Sequence, residues 1–354
     1  MIAKSPFNVP RRINGPVTGR SRNYHEVRPQ DVGFMTVRDC YMPPYPPAAK
    51  TALAKAKTSK IVFSYATPDQ PVAMRSMIRT VEFLGGKRRL ANLYKRYAKT
   101  PGVEDRFFEA AVELLKLDVR YDQTKLDLIP RDEPVLFIAN HPYGVIDGVV
   151  LTWLARKARS DVKVLTHKVL CQAPEAGANL LPIDFSETPE ALQNNIRSRR
   201  LALDILRDKG AIGIFPAGAV SASEGPWRGP AVDIAWHPFS AKLLMMSKAT
   251  VVPIYFAGQN SRLFQLASHA SYTCRLSLFF WETARRMGTR MEVGIGDPIP
   301  YAELAHLDNR KDLLRELRRR TYALASTIDG EGPVSPDKLP AFDREYVFPR
   351  HFNL

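Results

Sequence analysis

Apolar positions fall into two kinds of run along this chain. Short continuous runs rich in β-formers alternate with longer stretches whose apolar residues recur at helical spacing. Val135 to Ala139 is the central strand-like run, and it passes straight into the polar turn Asn140-His141-Pro142. Val162 to Thr166, Leu180 to Phe185, Ala211 to Phe215, Val251 to Phe256 and Arg290 to Ile295 read as further strands. Val119 to Leu128 alternates enough to predict another. Between them the spacing predicts helices over 148–159, 188–208 and 239–247, and a terminal helix over 311–328. Thr188 and Pro189 supply an N-cap and a first helical residue, and Lys209-Gly210 supplies a stop. Strands alternating with helices imply an α/β fold, a mixed, largely parallel sheet flanked by helices.

The N-terminal third follows a different pattern. Residues 1–70 read as a basic, proline-rich arm, with Met42 to Pro47 extended, a short basic helix over 48–57 and one edge strand from Ile61 to Tyr65. From Ala73 to Lys99 the pattern is helical, broken at Gly85-Gly86, and Glu82 is the single acid among many bases. A helix over 103–117 follows. The expected organisation is therefore an arm over 1–70, amphipathic basic helices over 71–118, an α/β domain over 119–330 and a tail over 331–354. A basic amphipathic helix pair suits a membrane interface. A solvated face on a hairpin packed against the domain fits the same residues, and both readings stay open.

Charge narrows the partners. The net charge is +15 and the pI near 9.8. Such an excess favours nucleic acid, an anionic membrane surface or an acidic carrier protein. Nucleic acid is the weakest of these, because no aromatic–basic RNA motif or recognisable DNA-binding helix is present. Cys40, Cys171 and Cys274 are odd in number and far apart, as reduced thiols of a cytosolic protein would be. No uninterrupted apolar run approaches the roughly 18 residues of a membrane span, and the basic start lacks the apolar core of a secretory signal. The expected location is cytoplasmic, peripheral at the inner face of the membrane.

Candidate chemistry centres on the turn after Ala139. His141 at a strand end and Asp147 before a helix place an ionisable pair at the carboxyl end of a sheet, where open α/β folds put their sites. The two do not share a face of a regular helix, so Pro142 and Gly144 must turn the chain back for them to meet. If they meet, the imidazole is a base near neutral pH and the carboxylate orients it. If not, His141 caps the turn and Asp147 caps the helix. Ile214 to Gly218 ends another strand in a tight turn whose N–H groups suit a phosphate or an oxyanion. Arg262, just past Gln259-Asn260-Ser261, is the first candidate anion ligand, with Arg228 and Lys242 behind it. Asp233 is a candidate helix cap or polar contact to substrate. No Gly-x-Ser-x-Gly elbow surrounds Ser221 or Ser223, and no metal-ligand cluster is evident.

Four of these segments, in order, resemble the blocks of the lysophospholipid and glycerolipid acyltransferases, above all a bacterial branch sometimes labelled hemolysin-like. Asn140-His141-Pro142 with Asp147-Gly148 resembles the first block, and Leu181-Pro182-Ile183-Asp184 the second. Ile214-Phe215-Pro216-Ala217-Gly218 resembles the third, and Val252-Pro253-Ile254, extended from Phe256 to Phe264, the fourth. The sequence departs from the commonest pattern at three points. Five residues, not four, separate His141 from Asp147; Phe185 stands where an arginine is usual; Ala217 and Ala219 occupy the places of a usual glutamate. The resemblance implies a glycerolipid acyltransferase-like fold. It also implies transfer of a fatty acyl group from acyl carrier protein or acyl-CoA to the hydroxyl of a lysolipid, without a cofactor or metal. The acceptor would be a lysophospholipid or a lyso-aminolipid such as lyso-ornithine lipid. His141 is then the general base and Asp147 its partner. Asn140, Phe215, Pro216, Gly218, Asp233, Asn260 and Arg262 are the candidates for substrate binding, with Arg262 as the expected replacement for the missing arginine. The altered second and third blocks leave one alternative, a non-catalytic lipid-binding protein that keeps the fold.

Overall fold

The computed structural model describes Ser64, Ala66, residues 71–98 and residues 105–328 apart from 169, 186, 187 and 226. The extended stretch, short helix and edge strand expected in the arm, and the tail over 331–354, lie outside the described residues.

Helices α1 (Val72–Leu84) and α2 (Lys87–Tyr97) are separated by Gly85 and Gly86, and α3 (Phe107–Leu114) lies within the helix expected over 103–117. The strand expected over 119–128 is overturned. Strand β1 (Asp118–Arg120) has three residues, and a short helix, α4 (Gln123–Asp127), takes the rest. The reason is local: the Asp122 carboxylate accepts the Thr124 N–H at 2.9 Å and caps a turn where a ladder would have continued. The order then runs β2 (Val135–Ala139), α5 (Val145–Ala158), β3 (Lys163–His167), α6 (Pro174–Gly177), β4 (Leu180–Ile183), α7 (Pro189–Arg207) and β5 (Ala211–Ile214). A small hairpin of β6 (Ala222–Ser223) and β7 (Ala231–Val232) follows, then α8 (Pro238–Ser247) and β8 (Thr250–Phe256). Three helices, α9 (Arg262–Ala270), α10 (Tyr272–Ser277) and α11 (Phe279–Arg286), lead to β9 (Arg290–Ile295), α12 (Tyr301–Leu304) and α13 (Arg310–Ala323). The hairpin and α9 to α11 are absent from the sequence expectation.

Seven strands form one sheet in the order β1-β9-β8-β2-β5-β3-β4. From β8 to β4 every neighbouring pair is parallel; β9 runs antiparallel to β8 and carries β1 parallel to itself. The sheet is thus mixed and mostly parallel, as the alternation of elements implies. Its central strand explains its own composition. Val135, Phe137 and Ala139 face a layer built from α3 and α5, while Leu136 and Ile138 face one built from α7, α8 and α13. A strand covered on both faces reads as an unbroken apolar run. Helix α5 is likewise buried nearly all round, from Ile146 to Ala155. Helices α2 and α3 belong to the same layer, since Leu90, Leu93, Tyr94, Phe108 and Val112 pack into it.

The amino end of the sheet is stapled by one side chain. Arg159, which is buried, donates to the Pro130 and Glu133 carbonyls through Nη1 and to the Lys209 carbonyl through Nη2, and pairs with Asp161 at 2.8 Å. Three loops depend on one guanidinium, and a lysine cannot reproduce its fork. Arg159→Ala should lower the free energy of unfolding in urea by about 3 kcal/mol, because buried carbonyls lose their donor. Turnover per folded molecule should be unchanged.

Candidate active site

The parallel strands β2, β5 and β8 lie side by side, so the segments that leave their carboxyl ends meet. These are the His141 turn, the Phe215-Pro216 turn and the Ala257 to Ser261 segment. The first of them folds back as the His141–Asp147 pairing requires. Gly144 takes a left-handed φ of +84°, and a Cβ there would sit 2.7 Å from the Phe279 ring, so glycine alone fits. Helix α5 starts one residue later, three residues before the predicted start, which makes Asp147 a first-turn acid.

Asp147 is fully buried, and its Oδ2 gathers three donors. The His141 ring lies 3.0 Å away through Nδ1, the Tyr143 N–H at 2.7 Å and the Gly144 N–H at 2.9 Å. The capping and the pairing read from the sequence are therefore one arrangement. Burial pushes the Asp147 carboxyl above its usual range, opposed by the His141 ring and by both N–H groups. An oxygen that already accepts two backbone hydrogens accepts a third from Nδ1, so the proton sits there and Nε2 is left as the basic nitrogen. Nε2 has no hydrogen-bond partner among the described residues. The ring stacks on Phe215, with centroids 4.0 Å apart and planes 25° apart, and keeps 17% of its surface exposed. It is held on one side and still open to a reactant.

A second buried carboxylate holds the His141 backbone. Asp233 Oδ1 accepts the His141 N–H at 3.1 Å and the Ser221 hydroxyl at 2.6 Å, and Oδ2 accepts the Trp236 indole N–H at 3.0 Å. Its own N–H donates to the Tyr322 hydroxyl and its carbonyl accepts from Arg318, which ties the turn to α13. Ser221 closes the circuit by donating its N–H to the His141 carbonyl at 2.8 Å.

Residues 90–331 match the model of the acyltransferase family, more than half of the chain. The chain belongs to the acyltransferase family. It is similar to the lyso-glycine lipid O-acyltransferase of Phocaeicola vulgatus, 27% identical over 202 residues that make up 55% of this chain and 69% of that protein. The protein of the same name from Bacteroides thetaiotaomicron is 27% identical over 164 residues, 45% of this chain and 55% of the relative. The crystal structure of the 1-acyl-sn-glycerophosphate acyltransferase PlsC from Thermotoga maritima shares 16% identity at a TM-score of 0.41, covering 71% of this chain and 88% of that one.

Within this acyltransferase the other candidate residues divide. Asn140 was expected at the substrate, but both ends of its amide are taken by Phe256, whose carbonyl accepts at 2.9 Å and whose N–H donates at 2.7 Å. It clamps β2 to β8 where the ladder ends. Asp233 is likewise bonded within the protein, through both carboxylate oxygens. Gly218 adopts a left-handed conformation, but its N–H donates to the Phe215 carbonyl at 2.9 Å and closes the turn. The Pro216 carbonyl accepts the His237 N–H at 2.8 Å. Asn260 is buried, and neither amide atom has a partner among the described residues. Arg262 is exposed and donates to the Gly229 carbonyl at 2.7 Å. Arg228 and Lys242 are exposed as well.

The position of the usual arginine is also resolved. Phe185 stacks on His167 at 5.3 Å, and beside them Lys168 pairs with Asp184 at 2.7 Å. Burial, aided by Lys168, lowers the His167 pKa to about 4, so that ring is neutral at physiological pH. Lys168 is thus a cation at the carboxyl end of β3, two strands from His141. Sequence reasoning passed over it because a lysine after a strand is an ordinary surface residue. The signal was its position, immediately past a buried strand on the side where the other blocks end. Arg318 and Tyr322 were missed for a similar reason, since they sit in a helix whose other arginines face solvent.

Asp233→Asn tests the second carboxylate. An amide brings a donor toward groups that now donate to the carboxylate, so at least one of these bonds is lost and the hold on the His141 turn is loosened. Displacements of about 1 Å at a reacting group lower rates by roughly 10²-fold. Steady-state kinetics should show a fall of that order in kcat with a smaller change in acceptor KM.

Proposed function

We propose that the chain moves a fatty acyl group from a thioester, on acyl carrier protein or CoA, to the hydroxyl of a lysolipid, with His141 as general base. The observation that carries this reading is the three-donor contact on Asp147 Oδ2, which leaves Nε2 of His141 as an unoccupied base. Nε2 takes the acceptor's hydroxyl proton as the oxygen attacks the thioester carbonyl. The imidazolium is stabilised by Asp147 and returns the proton to the departing thiolate as the carbon–sulfur bond breaks. The nucleophile is the substrate's own oxygen, so no acyl-enzyme forms.

The acceptor we favour is a lyso-aminolipid. The names of the relatives support it, and so does the Phe185 corner. A neutral His167 stacked on a phenyl ring, with Lys168 already paired to Asp184, offers little charge to a phosphate dianion. A headgroup with a single carboxylate or a zwitterion asks for less. The same reading puts the enzyme on an anionic membrane. Arg79, Arg88, Arg89, Lys95 and Arg96 of α1 and α2 are exposed, as are Met77, Phe83 and Leu84. Glu82, the one acid there, is buried against Lys87 at 2.7 Å and subtracts nothing from the outer surface.

Incubation of the purified protein with labelled acyl carrier protein or acyl-CoA and a panel of lysolipids tests the activity. His141→Ala should lower kcat by roughly 10²- to 10⁴-fold with an unchanged circular dichroism spectrum. Asp147→Asn should be comparably severe, because an amide favours the wrong tautomer and cannot stabilise the imidazolium equally. Wild-type turnover in either variant would sink the assignment. Lipid binding by wild type without turnover on any donor would favour the non-catalytic alternative.

Vesicle sedimentation tests the membrane. Binding to phosphatidylglycerol vesicles should weaken as salt rises from 0.05 to 0.5 M, roughly the range over which the Debye length shrinks from about 14 to 4 Å. Equal, salt-insensitive binding to neutral vesicles would count against it.

A further inference from the structure

The β6–β7 hairpin carries the most exposed aromatic side chain among the described residues, and nothing in the chemistry above uses it. Trp227 is 68% exposed at the hairpin's tip, and Leu263, at the start of α9, is 50% exposed. Arg262 joins the two segments by donating to the Gly229 carbonyl, and Arg228 stands beside Trp227. The result is an apolar tip flanked by two exposed cations.

The tip is pinned. The Ser223 N–H donates to the buried Gln265 side chain at 2.9 Å, and the Ser223 carbonyl meets the His269 ring at 2.9 Å. The Ala231 N–H donates to the Gln259 side chain at 2.7 Å. Both hairpin strands are therefore bonded to α9 or to the segment before it. The strands on either side of Trp227 are thus held in place. The hairpin also leaves directly from the catalytic turn, since Ser221 N–H bonds the His141 carbonyl. Five residues lie between Ser221 and Trp227, a span of at most roughly 20 Å.

We propose that Trp227 and Leu263 insert into the interface of an anionic bilayer while Arg228 and Arg262 contact its headgroups. Tryptophan and leucine on one side and arginines around them match the chemistry of that interface: an amphipathic ring at headgroup depth, an aliphatic side chain below it, cations against lipid phosphates. This contact is made by elements other than α1 and α2, with the Trp227 ring at its centre. It sets the mouth of the His141 cleft against the surface where a lysolipid resides. The inference rests on the reading of the acceptor as a membrane lipid, but its first test needs no turnover.

The full-length protein is mixed with phosphatidylglycerol vesicles whose acyl chains carry bromine, and tryptophan emission is recorded. Wild type should be quenched. Trp227→Phe keeps an apolar tip and removes the reporter, so it should bind with similar affinity and lose most of the quenching. Trp227→Ser and Leu263→Ser should each weaken partitioning roughly tenfold, the effect of withdrawing one large apolar side chain from an interface. Both side chains are exposed, so circular dichroism should not change. Transfer to an acceptor embedded in vesicles should slow in both serine variants, and transfer to a short-chain, monomeric acceptor should stay within twofold of wild type.

Full quenching in Trp227→Phe would place another tryptophan in the bilayer and overturn the inference. So would unchanged partitioning of both serine variants. If those variants raised the KM of an acyl carrier protein donor and left vesicle binding intact, the tip would be a carrier-docking surface instead. A wild type that is quenched but transfers no acyl group would sink the proposed activity and leave the membrane contact standing.

Discussion

The site depends on one carboxylate oxygen. Asp147 Oδ2 lies in a fully buried place and takes the His141 ring and two backbone N–H groups at once. An unpartnered carboxylate there would be strongly disfavoured, so the turn has little freedom to open. The contacts that stabilise the charge are also those that shape the turn. Helix α5 adds the field of its N-terminus, which favours a negative charge in the first turn. Capping a helix and orienting an imidazole are commonly separate tasks. Here the spacing from His141 to Asp147, with Gly144 in a conformation closed to other residues, makes them one interaction.

Asp233 completes the arrangement from the opposite side. It accepts the His141 backbone N–H, next to the Cα from which the ring projects. Through Trp236, Ser221, Tyr322 and Arg318 the same residue links the β2 turn, the hairpin and α13. Helix α13 is remote in sequence from the His141 turn, and this network ties the two together.

Most of the sheet was legible because its strands are buried on both faces. Runs such as Val135 to Ala139 and Val251 to Phe256 admit few other structures at that length. Helix ends were legible where a side chain marks them, as Thr188 does for α7 by accepting the Ala191 N–H. Failures came where local hydrogen bonding outweighs pattern. Alternation from Val119 suggested a strand, and the Asp122 cap turned the chain into α4. The meeting of His141 with Asp147 was legible from spacing and chemistry. The hydrogen bonds of Asn140 and Asp233 were not. Polar residues close to a predicted site suggest substrate contacts, whereas whether their hydrogen bonds are already spent on backbone across the sheet is a property of tertiary packing alone.

The surplus of positive charge illustrates the same separation between surface and site. A net charge of +15 invites the expectation of a cationic cleft. The groups around the catalytic turn are two buried carboxylates, a ring stack and backbone dipoles. Cations that reach the interior are matched, as Arg318 is by the Asp233 carbonyl and Arg286 by the Gln259 carbonyl and the Tyr143 ring. Exposed cations stand on α1, on α2 and around the hairpin tip, Arg79, Arg89 and Arg228 among them. Charges placed outside act over a Debye length and favour arrival at an anionic surface.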